Sequence, residues 1–219
     1  MDRRDVLASS DLVAVLDREA VDRVAGETTA LTLHRNDMVF TEGGPAAALY
    51  VVAGGRVAIS KRSPDERESM VALMETGDLF GEMGLLDDQG RSADARALER
   101  SELVAVSYDA IRTELDRRPQ LLWNLIRLLA QRLRATDAAL ADAMFLDVTG
   151  RTAKRLLELA GEADEFVLPV TQEELAGLVG ASRERVNKAI ATLVRLGFLE
   201  QVDRRYRILD RAELAHRAR

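Results

Sequence analysis

Two glycine-bracketed clusters carry residue types able to hold an anion. Gly81-Glu82-Met83-Gly84-Leu85-Leu86 sets backbone amides beside one carboxylate, and Gly90-Arg91-Ser92-Ala93 follows shortly after. Free amides around Gly81 to Gly84, where a short helix is expected to begin, can cradle negative charge. Arg91 adds a permanent cation with a two-pronged donor geometry that suits a phosphodiester. Ser92 adds a hydroxyl and an amide, and Glu82 can accept from a donor such as a ribose 2′-hydroxyl. The plainer alternative is that Glu82 and Arg91 form a salt bridge closing a loop. The glycines, Ser92 and a second motif downstream weigh toward a ligand.

That second motif runs from Thr171 to Gly197. Thr171-Gln172-Glu173-Glu174 has the form of a capping box, in which Thr171 and Glu174 satisfy free amides at a helix start. Leu175, Leu178 and Val179 give this helix a buried side. Gly180 supplies a turn and Ser182 a cap for a second helix from Arg183 to about Leu196, with Gly197 as its terminator. Val186, Ile190, Leu193 and Val194 form its inward stripe. Arg183, Glu184, Asn187, Lys188 and Ala191 lie opposite, with Arg195 one turn later. Long polar side chains at the N-terminal end of an anchored helix suit a DNA major groove, and the generic pattern equally suits an ordinary solvated face on a helical pair. Arg183 can pair bidentately with guanine, Glu184 can accept from cytosine and Lys188 can donate to guanine. Ser182 and Arg185 are placed for phosphates. Residues 198–209, with Arg204-Arg205-Tyr206-Arg207 between apolar pairs, read as a β-hairpin wing with phosphate contacts.

These clusters need a framework, and the hydrophobic pattern supplies one. Residues 9–25 read as a short helix. From Thr28 to Ser107 come short apolar runs at about ten-residue spacing, which indicate an antiparallel sandwich or barrel. They are Leu31–Leu33, Met38–Phe40, Leu49–Val52, Val57–Ile59, Val71–Met74, Ala93–Leu98 and Leu103–Val106. Gly43-Gly44-Pro45, Gly54-Gly55, Ser63-Pro64-Asp65 and Gly77-Asp78 separate them, with Gly54-Gly55 expected as a hairpin turn. Asp109 to Asp116 forms one helix, and Pro119 opens another that reaches Phe145. In it Leu122, Leu125, Leu129, Leu133, Thr136, Leu140 and Ala143 step by three and four, the seam of a two-stranded coiled coil. Leu122 to Leu133 could equally pack on the barrel, whereas the lightly apolar second half of the helix suits a close parallel partner, and a homodimer through this helix is expected. Asp147-Val148-Thr149-Gly150 marks a boundary, followed by a helix from Thr152 to Ala160 and a strand at Phe166–Val170. The reading is α+β in three parts: an N-terminal antiparallel β-roll (1–117), a long dimerisation helix (118–146) and a C-terminal winged helix-turn-helix (147–219).

Composition narrows the classes. Apolar residues at 47% and charged residues at 31% fit a folded chain with a solvated surface rather than a disordered one. No apolar run is long enough to span a membrane, no secretory signal is expected, and cytoplasm is the default compartment. There are no cysteines, which removes disulfides, thiol nucleophiles and cysteine-ligated metals. With only His34 and His216, no metal site is expected. Neither a Gly-x-Ser-x-Gly elbow nor a phosphate-loop lysine motif is present, so an enzyme is not expected. The net charge is −6, yet from residue 180 onward ten Lys/Arg face five Asp/Glu. An acidic chain with a basic last quarter fits a DNA-reading end.

Residues 171–199, TQEELAGLVGASRERVNKAIATLVRLGFL, strongly resemble the helix-turn-helix of the cyclic AMP receptor protein family of transcription regulators. Phe145-Leu146-Asp147-Val148-Thr149-Gly150-Arg151 looks like the interdomain hinge of that family. Residues 81–93 look like the phosphate-binding cassette of cyclic-nucleotide-binding domains. The resemblance implies cyclic AMP as effector, held by Gly81, Glu82, Met83, Arg91 and Ser92. Thr136 and Asp137 fall where the family's long helix touches the purine. Enteric relatives have threonine then serine there, and a carboxylate at 137 can accept from an adenine amino group while opposing guanine O6. The family reads a two-fold symmetric operator, which implies DNA contacts from Thr171, Gln172, Ser182, Arg183, Glu184, Arg185, Asn187 and Lys188. Lys188 stands where the best-known members have arginine. RNA polymerase is an expected partner, although Gly161 to Val170 is shorter than the segment that contacts it in enteric members. The missing cysteines and the two isolated histidines set the chain apart from the family's iron–sulfur and haem branches. Two alternatives stand beside this reading. One is a regulator of the same fold that binds DNA without nucleotide or with another anionic effector. The other is a cyclic-nucleotide sensor acting through a protein partner.

Overall fold

The structure, a computed structural model, describes residues 2–63 and 68–219. It divides into two compact units, Met1–Leu133 and Arg134–Arg219.

The first unit opens with helices α1 (Arg3–Ala8) and α2 (Asp11–Val24). The Ser10 hydroxyl caps α2 by accepting the Leu12 amide at 3.3 Å. Eight strands follow: β1 (Thr28–Leu33), β2 (Met38–Phe40), β3 (Ala48–Gly54), β4 (Val57–Arg62), β5 (Glu68–Met74), β6 (Leu79–Phe80), β7 (Asp94–Ala97) and β8 (Ser101–Ser107). A short helix, α3 (Met83–Asp87), lies between β6 and β7. The strands form two four-stranded antiparallel sheets, ordered β1-β8-β3-β6 and β2-β7-β4-β5. This is the jelly-roll-like β-roll expected from the spacing of the apolar runs. Pro64 and Asp65 of the expected turn lie outside the described residues.

Period-two alternation explains why β3 is apolar throughout. Leu49, Val51 and Ala53 pack with α1, α2 and α4 (Tyr108–Arg117), while Val52, with Tyr50 beside it, joins Val57, Phe80, Ala95 and Leu103 between the sheets. A strand covered on both faces has no solvated side, so no polar alternation appears. Gly54-Gly55 is not a hairpin turn. β3 pairs with β8 and β6, whereas β4 pairs with β5 and β7, so the glycines carry the chain from one sheet to the other. Gly55 has φ +79°, and a Cβ there would lie 2.5 Å from Ser101 Oγ.

Pro119 begins a 3-10 turn (Pro119–Leu121) rather than the long helix itself, α5 (Leu122–Phe145). Leu125 also departs from the expected seam. With Leu121 it is buried in the core shared by α2 and α4, and Leu128 packs partly against that core. Leu122, Ile126, Leu133 and Leu140 remain exposed along the helix.

In the second unit the helical run is interrupted at Leu146-Asp147, as expected, and Asp147 also caps the helix that follows, which begins at Val148 rather than Thr152. The Asp147 carboxylate accepts the Gly150 amide at 2.7 Å, and α6 runs from Val148 to Ala160. Gly150 sits inside that helix because a Cβ would come within 2.9 Å of the Arg217 carbonyl. Strand β9 (Glu165–Val167) ends earlier than expected; the Leu168 amide still donates to Arg204 O at 2.8 Å, and Leu168 and Val170 are buried in the core. α7 (Gln172–Val179) and α8 (Arg183–Arg195) follow, then β10 (Leu199–Val202) and β11 (Arg205–Ile208). The three strands form an antiparallel sheet in the order β10-β11-β9. Helix α9 (Arg211–Arg217) follows, capped by Asp210 and anchored by buried Leu214.

Candidate functional site

The amide-rich cluster lies between β6 and β7 and is organised around Arg91. Gly81 has φ +79°, and a Cβ there would press to 2.9 Å from Arg91 Nη1. Only glycine combines that backbone with that approach. The Arg91 backbone is fixed by exchange with the Gly43-Gly44 turn: its carbonyl accepts the Gly43 amide at 2.8 Å and its amide donates to Gly44 O at 2.9 Å. Gly90 is needed for the same approach, because its Cβ would meet the Gly43 carbonyl at 2.8 Å.

The Arg91 side chain is buried, at 6% exposure. Nη1 donates to Gly81 O at 3.0 Å and to the Tyr108 hydroxyl at 3.2 Å, and Nη2 donates to Ala48 O at 2.9 Å. Nε is shut off from solvent without a hydrogen-bond partner. The Tyr108 hydroxyl also donates to Gly81 O. Burial pushes the ionisation of that hydroxyl up, against the opposing pull of Arg91.

Glu82 is equally buried but does not pair with Arg91. It forms an ion pair with Arg132 of α5, and Arg132 also donates to Leu79 O. The loop-closing Glu82–Arg91 bridge is therefore absent, since a closer cation on the helix takes the carboxylate. Met83 and Ser92 lie at the surface against each other, with the Ser92 hydroxyl donating to Met83 Sδ at 3.2 Å. Thr136 and Asp137 are exposed on α5, one turn beyond Arg132.

Sequence reasoning passed over Arg132 and the aromatic residues Phe40, Tyr50, Phe80 and Tyr108. Arg132 had a signal, since it precedes Thr136 by one helical turn and so shares its face. The aromatics had none, because each read as ordinary strand or helix packing.

In the second unit the helix pair has the caps its sequence demands. Thr171 Oγ1 accepts the Glu174 amide at 3.2 Å, while Glu174 returns a bond to the Thr171 amide at 2.6 Å. Gly180 ends α7 in the left-handed conformation at φ +67°, and Ser182 caps α8 by accepting the Arg185 amide. Val186, Ala189, Ile190 and Leu193 are buried. Val194, expected inward, is exposed, and Ala189 takes that place on the 3.6-residue stripe.

Arg183, Glu184, Arg185, Asn187 and Lys188 are all exposed on one end of α8. Lys188 Nζ lies 2.7 Å from Glu184, whose carboxyl is held below its ordinary value by that ammonium. Gln172 is committed elsewhere, donating to the Tyr206 hydroxyl at 2.6 Å. The wing is less basic than its sequence suggests. Arg204 donates to Leu168 O at 2.8 Å, and Arg207 lies between Glu165 and Glu200 at 3.2 and 3.4 Å. Arg205, at 73% side-chain exposure, is more solvated than Arg207 and lies 3.9 Å from Glu165.

Residues 30–118 match the family model of the cyclic nucleotide-binding domain, and residues 150–217 match that of the Crp-like helix-turn-helix domain. The fold and these matches define a cyclic-nucleotide-binding, DNA-binding transcription regulator. The chain is 37% identical over 222 residues to the CRP-like cAMP-activated global transcriptional regulator of Mycobacterium tuberculosis, covering 98% of this chain and 99% of that one. It belongs to the cyclic AMP receptor protein family. The c-di-GMP responsive global regulator CLP of Xanthomonas campestris is 27% identical with a TM-score of 0.76, covering 88% of this chain and 99% of that one. FixK2 of Bradyrhizobium japonicum, at 23% identity and a TM-score of 0.78, shares the fold over 86% of this chain and 96% of its own. Among the described residues no helix is long and apolar enough to cross a membrane.

Proposed function

We propose that the chain is a homodimeric regulator whose effector is cyclic AMP. The observation that carries the effector reading is Arg91, a buried guanidinium with no carboxylate partner among the described residues. A cation in that condition favours an incoming anion, and a cyclic phosphodiester is the anion for which Gly81, Ser92 and the neighbouring amides are suited. Glu82 supports a ribose hydroxyl contact, with Met83 and Ser92 at the rim. Thr136 and Asp137 are assigned to the purine, where the Asp137 carboxylate accepts from adenine.

The dimer reading rests on the exposed apolar row Leu122, Ile126, Leu133 and Leu140 of α5. Large apolar side chains spaced four and seven apart on a solvated helix face favour a second helix. Two copies then present two α8 helices to a two-fold symmetric operator, with Arg183, Glu184 and Lys188 on base edges and Ser182, Arg185 and Thr171 toward phosphates. Gln172 reaches DNA only by leaving Tyr206. The Glu82–Arg132 pair gives nucleotide binding a direct lever on α5, so ligand and operator affinities are coupled. RNA polymerase is the partner through which such a regulator acts.

Calorimetric titration with cyclic AMP and cyclic GMP, on the parent and on Arg91→Ala, tests the effector. Binding by the parent and its loss in the variant are expected, and equal binding by both rejects the placement. Operator affinity measured with and without cyclic AMP tests the coupling, and equal values reject it. The likeness to the c-di-GMP responsive regulator of Xanthomonas campestris supports a second reading, a different cyclic nucleotide in the same site. Cyclic di-GMP belongs in the titration for that reason.

A further inference from the structure

A buried cation ordinarily has a carboxylate beside it, because neutral surroundings replace its lost hydration poorly. Arg91 is held instead by two backbone carbonyls, one phenol and aromatic rings. Its guanidinium carbon lies 4.2 Å from the centroid of Phe40, 5.4 Å from Tyr50 and 5.9 Å from Tyr108. Phe40 in turn rests on Tyr50 and Phe80, at ring separations of 5.8 and 6.0 Å, and the Tyr50 and Phe80 rings stack at 5.4 Å. The three rings come from β2, β3 and β6, so both sheets contribute to the platform.

We propose that Phe40 is the positioning residue for the anion-binding arginine, its ring face stabilising the ligand-free Arg91 guanidinium so that no carboxylate is needed. The negative face of an aromatic ring attracts a cation, and the attraction grows when water is excluded. The chemical consequence lies in what remains uncommitted. A paired carboxylate would have to be displaced by an arriving phosphate, whereas a ring keeps its place under the guanidinium while the anion takes the remaining donors. Of the five N–H groups, Nη1 spends two and Nη2 one, which leaves Nε–H and one Nη2 hydrogen. This inference rests on the nucleotide reading of the site.

The experiment separates the ring's charge distribution from its bulk. Cyclic AMP is titrated calorimetrically into the parent, Arg91→Ala, Phe40→Leu, and protein carrying mono-, di- or trifluorinated phenylalanine at position 40 alone. Fluorination weakens the negative ring face at nearly constant shape. Weakening the ring face lets the ligand-free guanidinium leave the binding position, a displacement the arriving anion must reverse. Phe40→Leu is therefore expected to bind about tenfold more weakly, and affinity to fall stepwise along the fluorinated series. A flat series overturns the proposal, while loss of binding in Arg91→Ala still upholds the nucleotide reading. A parent that takes up no cyclic AMP overturns that reading instead. The platform is then judged in ligand-free protein from the arginine Nε–H resonance that Arg91→Ala removes. Stacking on Phe40 shifts that signal upfield, and Phe40→Leu or fluorination should move it and speed its exchange with water. A signal unmoved in the fluorinated protein overturns the proposal whether or not Phe40→Leu folds.

Discussion

Glu82 and Arg132, fifty residues apart in sequence, are joined as an ion pair between the amide-rich loop and the long helix. Glu82 is 3% exposed and has a single cationic partner among the pairs described, so removing Arg132 leaves a buried carboxylate uncompensated. Arg132→Met is therefore expected to destabilise the protein by about 2–4 kcal/mol, and the double variant with Glu82→Gln by clearly less. Urea denaturation of the four proteins of the cycle measures this, and additive losses would count against the coupling.

Gly81→Ala tests the approach of Arg91. The new methyl group would meet Nη1 at 2.9 Å on a backbone at φ +79°. A stability loss of about 1–2 kcal/mol is expected from the backbone alone. Nucleotide affinity should fall further than stability does, because the guanidinium must move. Comparing thermal melts with calorimetric titration checks the difference.

Arg183 and Arg185, exposed at the start of α8, are assigned different contacts with DNA. Arg183→Ala should weaken operator binding by about 1–3 kcal/mol and flatten the preference at one base pair. Arg185→Ala should weaken all sequences alike and lower the slope of log affinity against log salt by about one. Binding to an operator and to single-base variants over a range of salt concentrations distinguishes them. Exchanged behaviours would reverse the assignment.

Leu133 and Leu140, at 62% and 60% exposure, test the dimer seam. A glutamate at either position would be buried opposite its own copy. Leu133→Glu or Leu140→Glu should raise the dimer dissociation constant at least about tenfold while leaving the fold intact. Sedimentation over a concentration series reads the change, and a chain that is monomeric before substitution refutes the seam.

Acid should loosen the first unit through Glu114. Its buried carboxylate accepts from Arg23 at 2.7 and 3.0 Å and from Arg117 at 3.0 Å, and the Arg23 bonds hold it below the ordinary carboxylate range. A pKa lower in the folded state than in the unfolded one contributes stability that is complete above the unfolded value. That contribution disappears as pH falls through the folded value. The urea midpoint should thus decline below about pH 4.5, with a shallower decline in Glu114→Gln, itself less stable at neutral pH. Equal slopes for the two proteins would remove Glu114 from the account.

The helix-turn-helix was legible because its signals are local. Thr171 and Glu174 are three residues apart, Gly180 and Ser182 act on adjacent backbone, and the buried stripe of α8 repeats within one helix. The β-roll was legible as a set of strands but not as two sheets. Gly54-Gly55 has the same composition whether it turns a hairpin or crosses between sheets, and only long-range pairing decides which. Gly150 misled for a similar reason, since its lack of a side chain serves the distant carbonyl of Arg217 rather than a chain break.

The sequence alone named Arg91 and Glu82 as charged groups in a glycine-rich setting, because residue type and neighbours carry that information. It could not say that they avoid each other. Partner choice depends on which groups folding brings within a few ångströms, and the competing groups come from five distant stretches: Phe40, Ala48-Leu49-Tyr50, Gly81, Tyr108 and Arg132. Tertiary structure gave the carboxylate to the helix and left the guanidinium to rings and carbonyls, since short-range forces recognise proximity in space and ignore separation along the chain.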